Sequence, residues 1–176
     1  MKYLMMCEGN NEKTIMNLLL DANKLKITRD DLIELTPFHV RQLSNPTIIS
    51  MLKNYNKEVT ILRIGDTQKD KLIIPKELKD IVSSNRIYKY CTLPEIEILL
   101  IINEGLYNEF LKSKDKPKGF AIKNIRYNKV KYNQSSEFFV NYYGGKRIFN
   151  LVDNLKKYKH IKKHNKDELY LADLLK

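Results

Sequence analysis

The sequence predicts an α/β protein, a mainly parallel sheet flanked by helices, with a basic C-terminal α+β extension. Two observations predict it. Short apolar runs alternate with stretches of helical spacing through about residue 112, the pattern of strands joined by helical crossovers. Beyond that point pattern and charge change together. From Lys112 to Lys163, 15 Lys and Arg stand against three acidic residues (Asp115, Glu137, Asp153). The formal net charge is +11, so the remainder of the chain is close to neutral. The expected division is a core over residues 1–112 and a basic extension over 113–176 packed on it.

Lys2 to Cys7 reads as a short buried strand that breaks at Glu8-Gly9. Asn10 or Asn11 can cap a helix from Glu12 to about Leu25, where Ile15, Leu18, Leu19, Ala22 and Leu25 recur at helical spacing. Leu32 to Leu43 is a second strand candidate, interrupted by Pro37. Asn45-Pro46 is a cap followed by proline in the first turn, and starts a helix with Ile48, Ile49 and Leu52 inward. Glu58 to Ile64 is the clearest strand, rich in β-branched residues and ending at Gly65-Asp66. Pro75 starts a short helix through Val82, and Arg86 to Cys91 is a fourth strand. Thr92-Leu93-Pro94-Glu95 has capping-box spacing ahead of a helix with Ile96, Leu99, Leu100, Asn103 and Tyr107 on one face. In the basic part, Ala121 to Asn133 alternates like a β-hairpin, Ser135 caps a helix through Tyr143, and Arg147 to Tyr158 resumes helical spacing after Gly144-Gly145.

Composition removes several function classes. The apolar share, 43%, suits a folded globular protein. No apolar run approaches the ~18 residues of a membrane span, and the first run is too short for a signal-peptide core. A cytoplasmic protein with no membrane partner is expected. Cys7 and Cys91 lack metal-ligand spacing and read as buried, reduced thiols. No P-loop motif is present, and His39, His160 and His164 form no known ligand spacing.

The chemistry lies in the carboxylates. Glu8 and Glu12 flank the end of the first strand, Asp66 and Asp70 the end of the third, and Glu97 opens the helix after the fourth. In a parallel sheet the loops after the strands share one edge, where ligands bind, so Glu8 and Asp66 are expected together. Hard oxygen ligands suit Mg²⁺ or Mn²⁺, which keeps several waters and needs only a few carboxylates plus a substrate phosphate. Glu8 is expected as metal ligand or general base and Asp66 as metal ligand. Glu12, one turn beyond Glu8, can face the same site, while Asp70 and Glu97 are weaker candidates.

Order and context of these motifs resemble the Toprim domain of topoisomerases, primases, OLD nucleases and RloB-like proteins. Glu8-Gly9-Asn10-Asn11-Glu12 is similar to the Glu-Gly-x-x-Glu of the nuclease branches, and Pro94-Glu95-Ile96-Glu97 to the Pro-x-x-Glu-apolar segment of RloB-like proteins. The resemblance covers roughly residues 1–112. It implies a Mg²⁺-dependent nuclease of a bacterial or mobile-element defence system, with an ATPase encoded nearby as partner. The chain departs from the family at Asp66-Thr67-Gln68, where an Asp-x-Asp is usual; Gln68 brings no second charge.

The basic part predicts an anionic partner, DNA or RNA. Arg147, Lys156, Lys157, Lys159 and Lys163 are the expected phosphate contacts. Tyr127, Tyr132, Tyr142, Tyr143 and Tyr158 are interleaved with cations and offer faces for unpaired bases, with burial in a small core as the plainer reading. Two functions are therefore carried forward: a Mg²⁺-dependent nuclease, and a catalytically degenerate Toprim-like nucleic-acid-binding or adaptor module.

Overall fold

A computed structural model describes residues 2–66, 71–92, 95–161 and 168–176. Five strands form one wholly parallel sheet: β1 (Lys2–Cys7), β2 (Phe38–His39), β3 (Val59–Gly65), β4 (Ile87–Cys91) and β7 (Leu169–Tyr170), in the spatial order β2-β1-β3-β4-β7. Between them lie α1 (Asn10–Asp21), α2 (Pro46–Tyr55), α3 (Ile98–Asn103), α4 (Tyr107–Lys112), α5 (Pro117–Asn124), α6 (Ser136–Tyr143) and α7 (Ile148–Ile161). A small antiparallel hairpin, β5 (Arg126–Tyr127) and β6 (Val130–Lys131), follows α5. The α/β layout with a parallel sheet flanked by helices is as the sequence predicts.

The strands read as apolar runs because β3 is buried on both faces. One face joins Met5, Cys7, Leu62 and Ile64 to α1, α3, α6 and α7 in a large core, and the other joins Leu4, Met6 and Ile61 to Ile48 and Leu52 of α2. Asn45 caps α2 as expected, its side chain accepting from the amides of Thr47 and Ile48. Ser135 caps α6 by accepting from the Phe138 amide. Among the described residues no helix is long and apolar enough to cross a membrane.

Several expectations fail locally. α1 starts two residues earlier, from Gly9, with no side-chain cap, and ends at Asp21. The second strand shrinks to Phe38–His39, because Arg29–Asp31 and Ile33–Leu35 form 3₁₀ turns in which Glu34 and Leu35 have positive φ. Pro75 is followed only by a 3₁₀ turn, Lys76–Leu78. The expected hairpin over 121–133 is mostly α5, with true pairing confined to 126–131. Phe120 and Ala121 are buried against the helical layer, which fixes that segment as helix despite its alternating pattern.

The chain beyond residue 112 supplies both the edge strand β7 and much of the large core. Phe139, Tyr142, Tyr143 and Leu151 pack in the same cluster as Met5 and Ile64. Backbone bonds from Lys26 to Leu174 and from Lys176 to Lys24 fasten the last residues beside the end of α1.

Candidate metal centre and nucleic-acid interface

From β1 the chain turns outward through α1 to β2 on one side, then crosses to β3 on the other. The strand order therefore reverses between β1 and β3. At such a switch point the loops leaving the two strands diverge and leave a crevice at the carboxyl edge. Glu8 follows β1 and Asp66 follows β3 at that crevice.

Two glycines admit the carboxylates. A Cβ built on Gly65 would lie 2.7 Å from Glu8 Cβ, and also against its Oε2, so Glu8 crosses directly over the glycine. A Cβ on Gly9 would lie 2.5 Å from Glu12 Oε2; the Glu12 side chain has curled back over the start of its own helix. Parallel register puts Arg63, itself buried, on the Glu8 face of the sheet, opposite Met6. Arg41, beyond β2, donates from Nε to the Glu8 carbonyl at 3.3 Å.

A cavity of about 220 Å³ opens at this crevice. Glu12, Asp66, Glu95 and Glu97 are its acidic lining residues, beside Asn10, Asn11, Gln134 and the cationic Lys118. Glu8 stands beside rather than in the lining and is 7% exposed. Burial pushes the Glu12 carboxyl above its ordinary range; the negative charges of Glu97, Asp66 and Glu8 push it the same way, against a bond from its own amide.

Glu97 is 2% exposed and is held by the Tyr132 hydroxyl, which donates to Oε1 at 2.7 Å. Burial and the Glu97 charge both push the Tyr132 phenol up, so it stays a protonated donor. Asn11 Nδ2 reaches the same hydroxyl at 3.5 Å, and Ser136 donates to Asn11 Oδ1 at 3.3 Å. Glu95 is not the back-bonding member of a box over its own helix. Its Oε2 accepts from the Lys118 amide at 2.8 Å and so caps α5, a negative group at a helix N-terminus.

The structure thus gathers Glu12, Asp66 and Glu97, with Glu8 adjacent. Asp70 and Gln68 lie outside the described residues, as do Lys163 and His164. Lys118 and Gln134 had no sequence signal of their own, while Asn11 was expected as a helix cap and Tyr132 as a face for bases or a core residue. Among the described residues, no three His, Cys, Asp or Glu side chains already stand in a metal-holding arrangement. The donor chemistry nonetheless fits a hard divalent cation. Four of the lining side chains are carboxylates, and a bound cation would relieve the repulsion that adds to burial in raising Glu12.

The basic residues divide by what they already touch. Arg147 lies over the Tyr127 and Tyr142 rings, 4.7 and 4.4 Å from their centroids, and 4.0 Å from Glu104. It clamps the hairpin to α6. Lys159 pairs with Asp173. Lys156 and Lys157 are exposed on α7. Tyr132, Tyr142, Tyr143 and Tyr158 are buried, which removes them as stacking platforms for bases.

Comparison with protein-family models, with curated proteins and with solved structures finds no match.

Proposed function

We propose that this chain is a Mg²⁺- or Mn²⁺-dependent nuclease of Toprim-like build, cleaving phosphodiester bonds of DNA or RNA. The observation that carries the reading is the grouping of Glu12, Asp66 and Glu97 around one cavity at the β1/β3 switch point, with Asp66 and Glu97 both within electrostatic reach of Glu12. Asp66, Glu97 and Glu12 are the residues that would hold the cation. When bound it supplies charge neutralisation at the phosphoryl oxygens and an activated water. Glu8, beside the lining, or Glu12, within it, would take the proton from that water. Glu8, packed over Gly65, orients the crest on which Asp66 sits. Lys118 is the cation at the cavity for the substrate phosphate. The same resemblance carries the proposals of a cytoplasmic defence role and of an ATPase partner encoded nearby.

A second reading, a catalytically degenerate nucleic-acid-binding or adaptor module, is favoured by Gln68, which brings no second charge where the resemblance expects one. One experiment separates the two. Labelled single- and double-stranded DNA and RNA are incubated with Mg²⁺ or Mn²⁺ and wild-type protein, Glu12→Gln, Asp66→Asn or Glu97→Gln. The nuclease reading expects cleavage by the wild type and a loss of about 10²-fold or more in Glu12→Gln and Asp66→Asn, the scale of removing a transition-state charge partner. Wild-type protein that binds these substrates, cleaves none and shows no Mn²⁺-dependent melting shift is the binding module.

A further inference from the structure

We infer that the β5–β6 hairpin is the element that grips the nucleic-acid backbone beside the acidic cavity, in place of the α7 lysines. The inference deepens the nuclease reading by placing its substrate, and three observations carry it.

First, Arg126 and Lys131 are direct cross-strand partners. Like charges directly opposite each other weaken a hairpin. Both side chains are exposed, and neither has an ion pair or hydrogen bond among the described residues. Other cations do have an acidic partner: Lys123 with Asp115, Arg86 with Glu58, Lys159 with Asp173. The hairpin carries no acid to do so.

Second, the two-residue turn is Asn128-Lys129, with φ of 49° and 68°. Positive φ at both central positions is the signature of a type I′ turn, where the second position strongly prefers glycine. Lysine there puts a third cation at the tip at the cost of backbone strain. Local stability is surrendered twice within six residues, each time in favour of positive charge.

Third, the hairpin is seated next to the site. Its inner face buries Ile125 and Tyr132, joined by a backbone bond of 3.0 Å, which leaves Arg126 and Lys131 on the opposite, outward face. Tyr132, the residue after Lys131, holds Glu97, and Gln134 lines the cavity. Lys131 and Gln134 are three residues apart, so no more than about 11 Å of chain separates them. That distance spans about three phosphates of one strand. A polyanion lying across the hairpin therefore passes the carboxylates.

The test uses a fluorescein-labelled single-stranded oligonucleotide, EDTA, and a salt series read by anisotropy, so that binding is measured without metal or cleavage. Arg126→Gln combined with Lys131→Gln should weaken binding and reduce the slope of log affinity against log salt by about 1.4, at roughly 0.7 per lost phosphate contact. Lys129→Gly should raise the melting temperature while weakening binding, a pairing that a merely structural lysine would not give. Lys156→Gln with Lys157→Gln should leave the slope unchanged. Hairpin variants that bind with the wild-type slope overturn the inference, and so does a wild type that takes up polyglutamate but no oligonucleotide. The two readings fail separately. A wild type that cleaves, with hairpin variants unaffected in binding, removes the hairpin and keeps the nuclease. A wild type that binds through the hairpin and never cleaves keeps the hairpin and removes the nuclease.

Discussion

The hydroxyl of Tyr132 donates to Glu97 Oε1 at 2.7 Å, across 35 residues of chain and with both side chains buried. A buried carboxylate needs such a donor, and the donor here comes from the basic half of the chain. The bond settles one oxygen of Glu97, a residue that lines the cavity.

Tyr132→Phe should therefore cost about 1–3 kcal/mol of stability, the usual penalty for stranding a buried acceptor. It should also reduce Mn²⁺ affinity about 10–100-fold, the scale for removing a hydrogen bond that orients a metal ligand. Titration calorimetry on the wild type, Tyr132→Phe, Glu97→Gln and the double variant checks both. If Tyr132 acts through Glu97, the phenylalanine costs nothing further once Glu97 is glutamine.

Glu12 predicts a pH dependence. Its carboxyl is raised in the folded protein, by burial first and by Glu97, Asp66 and Glu8 next. The folded state thus binds more protons than the unfolded state between the ordinary glutamate value and the raised one. Stability from this group is fully present below the ordinary value and is lost as pH rises through the raised value. Metal-free melting temperature should fall across that window in the wild type, and less so in Glu12→Gln. Saturating Mn²⁺ should remove the slope, since a ligand bound only by the folded state restores stability by mass action. A Glu12→Gln melt with the same slope as wild type would place the repulsion elsewhere.

Gly65→Ala should destabilise the fold by about 1–3 kcal/mol, because the new Cβ meets Glu8 Cβ at 2.7 Å and not just the mobile end of a side chain. Gly9→Ala should cost less, since only the Glu12 carboxylate has to move aside. Chemical denaturation of the two variants gives the order. The order inverts if Glu8 can swing off the crest.

What was legible in the sequence was the part written in local chemistry. Lys2–Cys7, Asn45-Pro46, Val59–Gly65 and Ser135 carry apolar runs or caps whose meaning does not depend on distant residues. The nearness of Glu8 and Asp66 followed from the rule that parallel strands end on one edge, and that of Glu12 from its place one turn beyond Glu8. Tyr132 did not, because the carboxylate it serves is 35 residues away and nothing local marks a tyrosine as a donor. Arg147 illustrates the converse. Its charge suggested a phosphate contact, yet two tyrosine faces and Glu104 already surround it. Counting cations along the chain says nothing about which of them are already satisfied. The loop after Asp66, with Gln68 and Asp70, falls outside the described residues.

The closing of the sheet by β7, and of the cavity wall by Gln134, has a kinetic consequence. Asn11 and Tyr132 are 121 residues apart, and Lys26 and Asp173, also joined, are 147 apart. Contacts of such sequence separation form late, since the chain must surrender its loop entropy before they reward it. On the ribosome the carboxylates of the first strands emerge long before the tyrosine that positions Glu97. Glu97 must therefore wait for a partner 35 residues further along the chain, and the bond that holds it closes only once the β5–β6 hairpin has been made.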